Sequence, residues 1–207
     1  MKRWIDGVGS LLLLVLTLPV LLVVVIGCGF SLRANPFFRH ERIGRFGERF
    51  QLLKVRTLPL EVPPYIGKYE LAEFDVPRFC QAVRNLHLDE LPQLVHVVRG
   101  RMSLIGPRPE MPAHHDRFDR GFADLRTSVR PGCTGLWQVS SGSRGLIIEH
   151  PEYDEYYVRH HSLRLDLWIA GRTMLKMVPF VRRRVVDFHE LPPWAPRPAR
   201  VAALALD

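Results

Sequence analysis

The chain opens with a long apolar run: no charged residue lies between Asp6 and Arg33. The 26 positions from Gly7 to Leu32 would reach about 39 Å as one helix at ~1.5 Å per residue, against a hydrocarbon thickness of about 30 Å. The pattern predicts a membrane segment. Pro19 sits near its middle, where proline removes an i→i−4 hydrogen bond and bends a helix, leaving halves of roughly 20 Å that are too short to cross separately. Lys2 and Arg3 precede the segment and Arg33, Arg39 and Arg42 follow it, whereas a single span usually carries its basic excess on one side. Break and flanks together favour a re-entrant helix hairpin with both ends cytoplasmic, with a single span as the alternative. Val25-Ile26-Gly27-Cys28 has the form of a lipoprotein cleavage box, but the apolar run exceeds the ~7–15 residues of a signal peptide and Asp6 interrupts the basic start. A buried core helix would need a larger interior than the remaining chain can build.

After Asn35-Pro36 the pattern shortens to strand-like runs, Phe37–Ile43 and Arg49–Arg56, separated by Gly44-Arg45-Phe46-Gly47. This predicts a β-hairpin. In the second run Leu53 and Val55 alternate with Lys54 and Arg56, so the two cations share a strand face that suits an anion or simply meets water. Residues 58–80 carry Pro59, Pro63, Pro64 and Pro77 and predict a loop with at most a short helix around Lys68–Glu73. Leu88, Leu91, Leu94 with Val95, and Val98 then form a helical apolar stripe ending at Gly100. Because proline is best tolerated at the first helical position, the regular helix is expected to begin at Pro92, with Asp89 and Glu90 just ahead of it. Carboxylates there are stabilised by the helix dipole, and the same place receives phosphate or metal-bound phosphate. Ordinary helix-start chemistry explains the same residues without a ligand.

Gly106-Pro107-Arg108-Pro109 cannot be regular structure, since its prolines lack donors and restrict the residues before them; it fixes Arg108 in a rigid turn. A second rigid segment, Arg130-Pro131-Gly132-Cys133-Thr134-Gly135, leads through Leu136-Trp137-Gln138-Val139 into Ser140–Gly145, which reads as a mobile polar loop. From Glu152 to Val178 the pattern is helical, with Leu163, Leu165, Leu167, Trp168, Ile169, Met174, Leu175 and Met177 on a broad apolar face. Such a face packs on a core or lies in a membrane interface. The tail, 179–207, is rich in Pro, Ala and Arg and is expected to be poorly ordered.

A chain of 207 residues is one domain with room for an appendage. Its 47% apolar and 24% charged residues make it globular. The 29 Lys and Arg against 21 Asp and Glu, a net charge of +8, point to anionic partners: nucleic acid, acidic head groups or phosphorylated substrates. A nucleic-acid binder has neither a motif here nor a use for the apolar segment. Cys28, Cys80 and Cys133 are too scattered for a disulfide framework or zinc site, so a reducing compartment is expected. Cys133 has no base nearby in sequence and reads as packing. His114-His115 and His160-His161 read as surface residues, because adjacent side chains diverge and spacing places no third ligand.

Six blocks stand in a recognisable order. They are Lys2-Arg3…Asp6 before the Pro-interrupted segment, Arg39…Glu41-Arg42-Ile43-Gly44, Lys54-Val55-Arg56-Thr57, Leu88-Asp89-Glu90-Leu91-Pro92-Gln93, Met102 through Pro109, and Arg130-Pro131-Gly132 through Val139. Over roughly residues 1–178 they resemble the bacterial sugar transferases, the monotopic polyprenyl-phosphate phosphoglycosyl transferases. The resemblance implies transfer of a sugar-1-phosphate from a nucleotide-diphosphate sugar, usually a UDP-sugar, to undecaprenyl phosphate with release of the nucleoside monophosphate. This is the first membrane step of exopolysaccharide, capsule or glycan assembly. It also implies Mg²⁺ and an Asp-Glu dyad, with Asp89 as nucleophile in a covalent phosphosugar intermediate and Glu90 helping to hold the metal. Arg108 would bind phosphate, Lys54 and Arg56 would form a cationic face, and Arg84 and Arg130 fall where the family places basic residues.

The fold implied is α+β and predominantly helical: a re-entrant membrane helix hairpin (1–34), a cytosolic catalytic domain (35–178) with a small β-hairpin and an amphipathic C-terminal helix, and the tail (179–207). The implied place is the cytoplasmic face of the bacterial inner membrane, with the lipid bilayer as a partner, a homodimer left open and nucleic acid not expected. Leu86-His87, Arg101 and Phe79-Cys80-Gln81-Ala82 depart from the family pattern near the expected site and bear on substrate choice. The alternative from another class is a catalytically silent, membrane-associated protein that reads a nucleotide sugar or scaffolds its partners.

Overall fold

In the computed structural model, which describes residues 1–63, 74–177, 187 and 190–196, the chain divides into two compact units. One unit comprises Trp4–Glu41 and Gln51–Arg99; the other comprises Met1–Arg3, Arg42–Phe50 and Gly100 onwards. The short helix expected around Lys68–Glu73 and most of the tail lie outside the described residues; the described part of the tail is not the loose segment expected, since Leu191 and Ala195 are buried in the core and the Pro196 carbonyl accepts from the Tyr156 hydroxyl at 2.7 Å.

The first unit is built on α1 (Lys2–Leu32), whose first residues belong to the second unit. The helix runs through Pro19 without interruption, where the sequence predicts a break into two halves. A proline costs its helix one backbone hydrogen bond and a local clash, and the bonds on either side of that position still hold the axis together. Only 11% of its most apolar stretch is buried inside the protein, so α1 is not a core helix, and its length and composition suffice to cross a membrane. Its buried residues Val24 and Cys28 pack with Val55, Cys80 and Val83. Arg33 stops the helix with a φ of 48°, and the Asn35 side chain then accepts the Phe37 amide at 2.9 Å.

β1 (Phe37–Ile43) and β2 (Arg49–Val55) pair as the expected hairpin. Its tip is a 3-10 turn over Arg45–Gly47, in which Phe46 and Gly47 take φ of 58° and 78°. Burial along β2 changes phase: Leu52 and Val55, not Leu53 and Val55, are each 2% exposed. Past the hairpin, α2 (Arg78–Asn85) follows Pro77. Its Phe79 ring lies against Gly27, where a β-carbon would collide with it. The Phe79-Cys80 departure therefore forms a seam between α2 and α1, with Cys80 buried in the Cys28 cluster. A 3-10 turn over Leu88–Gln93 precedes α3 (Leu94–Val98), so the regular helix begins two residues later than the proline rule predicts. Pro92 fits the 3-10 turn.

The second unit contains β3 (Ser103–Ile105), α4 (Pro112–His115), α5 (Arg120–Thr127), β4 (Gly132–Thr134), α6 (Leu136–Val139), α7 (Glu152–His160) and α8 (Leu163–Met177). The apolar pattern announces neither α4 nor α5. The missed signal is Asp119, whose carboxylate accepts from the amides of Gly121 and Phe122 at 2.9 and 3.4 Å and caps α5. β3 and β4 pair in parallel, Ser103 opposite Gly132 and Ile105 opposite Thr134. A β-carbon on Gly132 would strike the Gly106 backbone, and one on Gly135 would strike the Gly106 carbonyl. The glycines of these two blocks are therefore a close backbone contact.

The single late helix expected from Glu152 is two helices. Ser162 separates them, its hydroxyl accepting the Leu165 amide at 3.3 Å at the start of α8. Ile105, Leu136, Val139, Tyr153, Tyr157, Leu165 and Ile169 share the core. The broad apolar face of α8 is divided: Leu165 and Ile169 are buried, while Leu163, Leu167, Met174 and Leu175 are exposed. The Ser140–Gly145 stretch, read as a mobile loop, holds a 3-10 turn over Ser141–Arg144. Ser140 and Ser143 bond locally, to the Trp137 and Ser140 carbonyls, and the Ser141 hydroxyl lies 3.0 Å from the Tyr153 hydroxyl on α7.

Candidate active site

Leu88-Asp89-Glu90 is presented by a chain reversal. α2 ends at Asn85, and His87 takes a left-handed conformation, φ 57° and ψ 21°. Histidine is among the few non-glycine residues enriched there. Across the reversal the His87 amide donates to the Arg84 carbonyl at 3.1 Å, and the Glu90 amide donates to the His87 carbonyl at 3.2 Å. The Leu86-His87 departure is thus the pivot that brings the end of α2 beside the dyad.

Asp89 is 7% exposed. Burial is the main cause that raises its pKa to about 6; Glu90 adds to the rise, and Lys54 and Arg84 oppose it. Lys54 Nζ lies 2.7 Å from Glu90 Oε1. The nearest ammonium is therefore committed to the neighbouring carboxylate, and Asp89 makes no ion pair among the described residues. It sits in the field of two cations while holding an oxygen that can attack or coordinate.

The structure thus brings Lys54, Arg84, Asp89 and Glu90 into one electrostatic cluster. Arg56 does not join Lys54 as the alternation predicts. It lies one residue beyond β2, its amide donates to the Pro36 carbonyl at 2.6 Å, and its Nε donates to the Asn35 carbonyl at 3.0 Å. Its guanidinium also covers the Phe38 ring at 5.4 Å. One residue the sequence reading missed is His96 on α3, 4% exposed, whose Nε2 accepts the Leu53 amide at 3.1 Å. That bond sets the strand one position before Lys54. No local pattern marks it, because the contact joins residues far apart in sequence.

A hard divalent cation such as Mg²⁺ takes oxygen ligands and is commonly held by one or two carboxylates together with substrate phosphates. Adjacent Asp89 and Glu90 match that donor set. Among the described residues no three His, Cys, Asp or Glu side chains are grouped to hold a metal. The fit is to a cation that arrives with a diphosphate, not to an all-protein cage.

Arg108 and Arg130 belong to the second unit. The Pro-Arg-Pro turn, poor in donors, is held through its carbonyls: Gly132 N donates to Pro107 at 2.8 Å, Arg126 Nη2 to Arg108 at 2.5 Å, Arg42 Nη1 to Pro109 at 3.3 Å and Ile43 N to Glu110 at 2.9 Å. Arg108 itself is half-buried. Arg130 donates from Nε to the Gly100 carbonyl at 2.9 Å, and so braces the turn after α3.

The histidine pairs carry ordinary contacts. His114 meets Glu110 at 3.2 Å, His115 packs edge-on to Phe118, and His160 and His161 stack near Tyr156 and Tyr157. Cys133 is half-buried on β4. A cleft of ≈ 540 Å³ in the second unit, lined by Phe118, Phe122, Glu155 and Arg159 among others, includes none of the expected site residues.

Comparison with known proteins covers the stretch of chain that holds these blocks. The model of a family described as bacterial sugar transferase matches residues 1–179. The UDP-glucose:undecaprenyl-phosphate glucose-1-phosphate transferase of Caulobacter vibrioides is 37% identical over 182 residues, covering 84% of this chain and 68% of that protein. The exopolysaccharide production protein ExoY of Sinorhizobium fredii is 34% identical over 194 residues, covering 84% and 83%. The UDP-galactose-lipid carrier transferase of Erwinia amylovora is 35% identical over 190 residues; the match covers 84% of this chain and 39% of that longer protein. With the dyad, the Pro-Arg-Pro turn and the apolar helix all inside the matched stretch, the chain belongs to the bacterial sugar transferase family.

Proposed function

We propose that the chain is a phosphoglycosyl transferase that moves a sugar-1-phosphate from a UDP-sugar to undecaprenyl phosphate at the cytoplasmic face of a bacterial inner membrane, as the first membrane step of exopolysaccharide or glycan assembly. The observation that carries the reaction class is Asp89: a buried carboxylate beside two cations, with its nearest ammonium engaged by Glu90. In the first step an Asp89 carboxylate oxygen attacks the phosphorus that bears the sugar. The bond to the nucleotide oxygen breaks, and nucleoside monophosphate leaves with that electron pair. In the second step an oxygen of the lipid phosphate attacks the same phosphorus and frees Asp89. A carboxylate needs no general base to act so, because with a pKa of about 6 Asp89 is mostly ionised at neutral pH.

Repulsion between this anion and the diphosphate is the obstacle. Mg²⁺ held by Glu90 and Asp89 would neutralise phosphate charge when bound. Lys54 keeps Glu90 in place, Arg84 adds positive field at Asp89, and Arg108 offers a guanidinium fork suited to phosphate. Arg56, bonded to the Asn35 carbonyl, braces the end of β2, and Arg130, bonded to the Gly100 carbonyl, braces its own unit. α1 anchors the enzyme where its lipid substrate resides; basic residues at both ends favour a re-entrant path, which needs α1 to bend at Pro19, where the helix lacks one backbone hydrogen bond. The exposed Leu163, Leu167, Met174 and Leu175 face of α8 has the composition of a surface that lies in a lipid interface.

The test is nucleoside monophosphate release by nanodisc-embedded protein with Mg²⁺, undecaprenyl phosphate and a panel of UDP-sugars, beside Asp89→Asn. Release from one sugar that requires Asp89 supports the reading. Lipid-linked product from the Asp89→Asn variant sinks the nucleophile assignment. For topology, both termini should be shielded from periplasmic protease in intact cells, and exposure of one end means a spanning helix.

A further inference from the structure

The Pro-Arg-Pro turn leaves open what fixes Arg108, since a turn with two prolines supplies few donors of its own. We infer that Arg126 is a positioning residue for Arg108 in phosphate recognition, an inference that rests on the function proposed above.

Arg126 sits in the last turn of α5 and is 5% exposed. Its Nε donates to Asp154 Oδ2 at 2.7 Å, its Nη2 lies 4.0 Å from Glu110 Oε1, and its guanidinium covers the Phe118 ring at 5.3 Å. Asp154, on α7, is 1% exposed. The guanidinium is therefore clamped by a carboxylate from one helix and a ring from the segment before α5. Thus aimed, its Nη2 donates to the Arg108 carbonyl at 2.5 Å.

Two physical points make this more than packing. A buried ion pair is a poor source of stability, because desolvating both charges offsets their attraction, and well-packed apolar residues do as well or better. What such a pair supplies is direction. A guanidinium has donors at fixed angles, so one edge can be committed to Asp154 while the other addresses a backbone carbonyl, which an ammonium cannot do with the same geometry. The carbonyl it holds belongs to the residue whose side chain is expected to meet phosphate, and small misplacements of a binding group cost affinity steeply.

The test is a double-variant cycle with Arg126→Lys and Arg108→Ala, reading KM for the UDP-sugar, kcat and the thermal unfolding midpoint in nanodiscs. Arg126→Lys keeps a charge for Asp154 and loses the fork. It is expected to raise KM about tenfold, the scale of one lost charge-assisted hydrogen bond, with kcat and the midpoint little changed. Added to Arg108→Ala it should change KM by less than about twofold, because the group it positions is already gone. Asp154→Asn, which keeps shape and removes the aiming charge, should show the same dependence on Arg108 wherever it remains folded. KM effects that multiply in the double variant overturn the inference and leave Arg126 a structural residue. Arg108→Ala with an unchanged KM overturns the phosphate-binding reading itself and removes the basis of the inference with it. A midpoint that falls in step with every KM change would also overturn it, since stability alone would then explain the loss.

Discussion

Asp89 and Asp154 are the same residue type, each nearly out of water, and the structure gives them opposite surroundings. Asp154 receives an Arg126 donor at 2.7 Å, and its charge is spent on holding α5, α7 and the Pro-Arg-Pro turn. Asp89 has cations near it, but Lys54 is bonded to Glu90, so its own oxygens keep their capacity to react. Burial raises the pKa of both, with Arg126 opposing the rise at Asp154 and Lys54 and Arg84 opposing it at Asp89. A buried carboxylate is tied down or left open according to where the nearest donor is committed, not according to how deeply it lies.

The contrast can be broken most sharply by neutralising each carboxylate in turn. Asp89→Asn should reduce nucleoside monophosphate release by at least about 10³-fold, the scale of losing a nucleophile, and abolish any phosphosugar adduct seen by intact-protein mass spectrometry. The same change should raise the unfolding midpoint at neutral pH, because it removes an ionised group that burial disfavours. Asp154→Ala should do the reverse in kind. It strands a buried guanidinium and should cost about 3–5 kcal/mol of stability, read as a lower midpoint even in the absence of substrate.

A third effect is pH-dependent. Turnover should fall as pH drops through about 6, where Asp89 takes up a proton and loses its nucleophilic form. The linkage to stability has the opposite direction. With a folded pKa above the ordinary carboxylate value, Asp89 contributes stability that is present at low pH and lost as pH rises through about 6. The midpoint difference between Asp89→Asn and the native chain should therefore shrink on acidification, and a constant difference from pH 5 to 8 would contradict the burial of Asp89. The smallest effect belongs to the pivot. His87→Val should cost about 1–2 kcal/mol, because a β-branched residue resists the left-handed conformation, and His87→Gly, free of that backbone strain, should cost less in the same unfolding measurement.

Local pattern was a good guide wherever an element depends on its own residues. The hairpin strands match the alternating runs to within a residue, and Gly100, with φ of 79°, ends the apolar stripe as the spacing requires. Pattern failed where two local rules compete. The proline rule places a helix start at Pro92, and the chain instead uses that residue inside a 3-10 turn, with α3 starting at Leu94. Ser162 carried a visible capping signal, masked by apolar residues on both sides that read as one helix. Alternation places Arg56 and Lys54 together, yet the Asn35 carbonyl and the Phe38 ring take Arg56 at the strand end.

The amino-acid sequence by itself determined the long apolar helix, the hairpin, the adjacent Asp89 and Glu90 and the rigid Pro-Arg-Pro turn, because each follows from neighbouring residues and the covalent limits of the backbone. Only tertiary structure decided that Asp89 is buried with a raised pKa, that Lys54 serves Glu90, that His96 holds the strand beside it, and that Arg126 lies beneath Arg108. Those are choices of partner and degrees of burial, and they exist only once segments distant in sequence exclude water from one another.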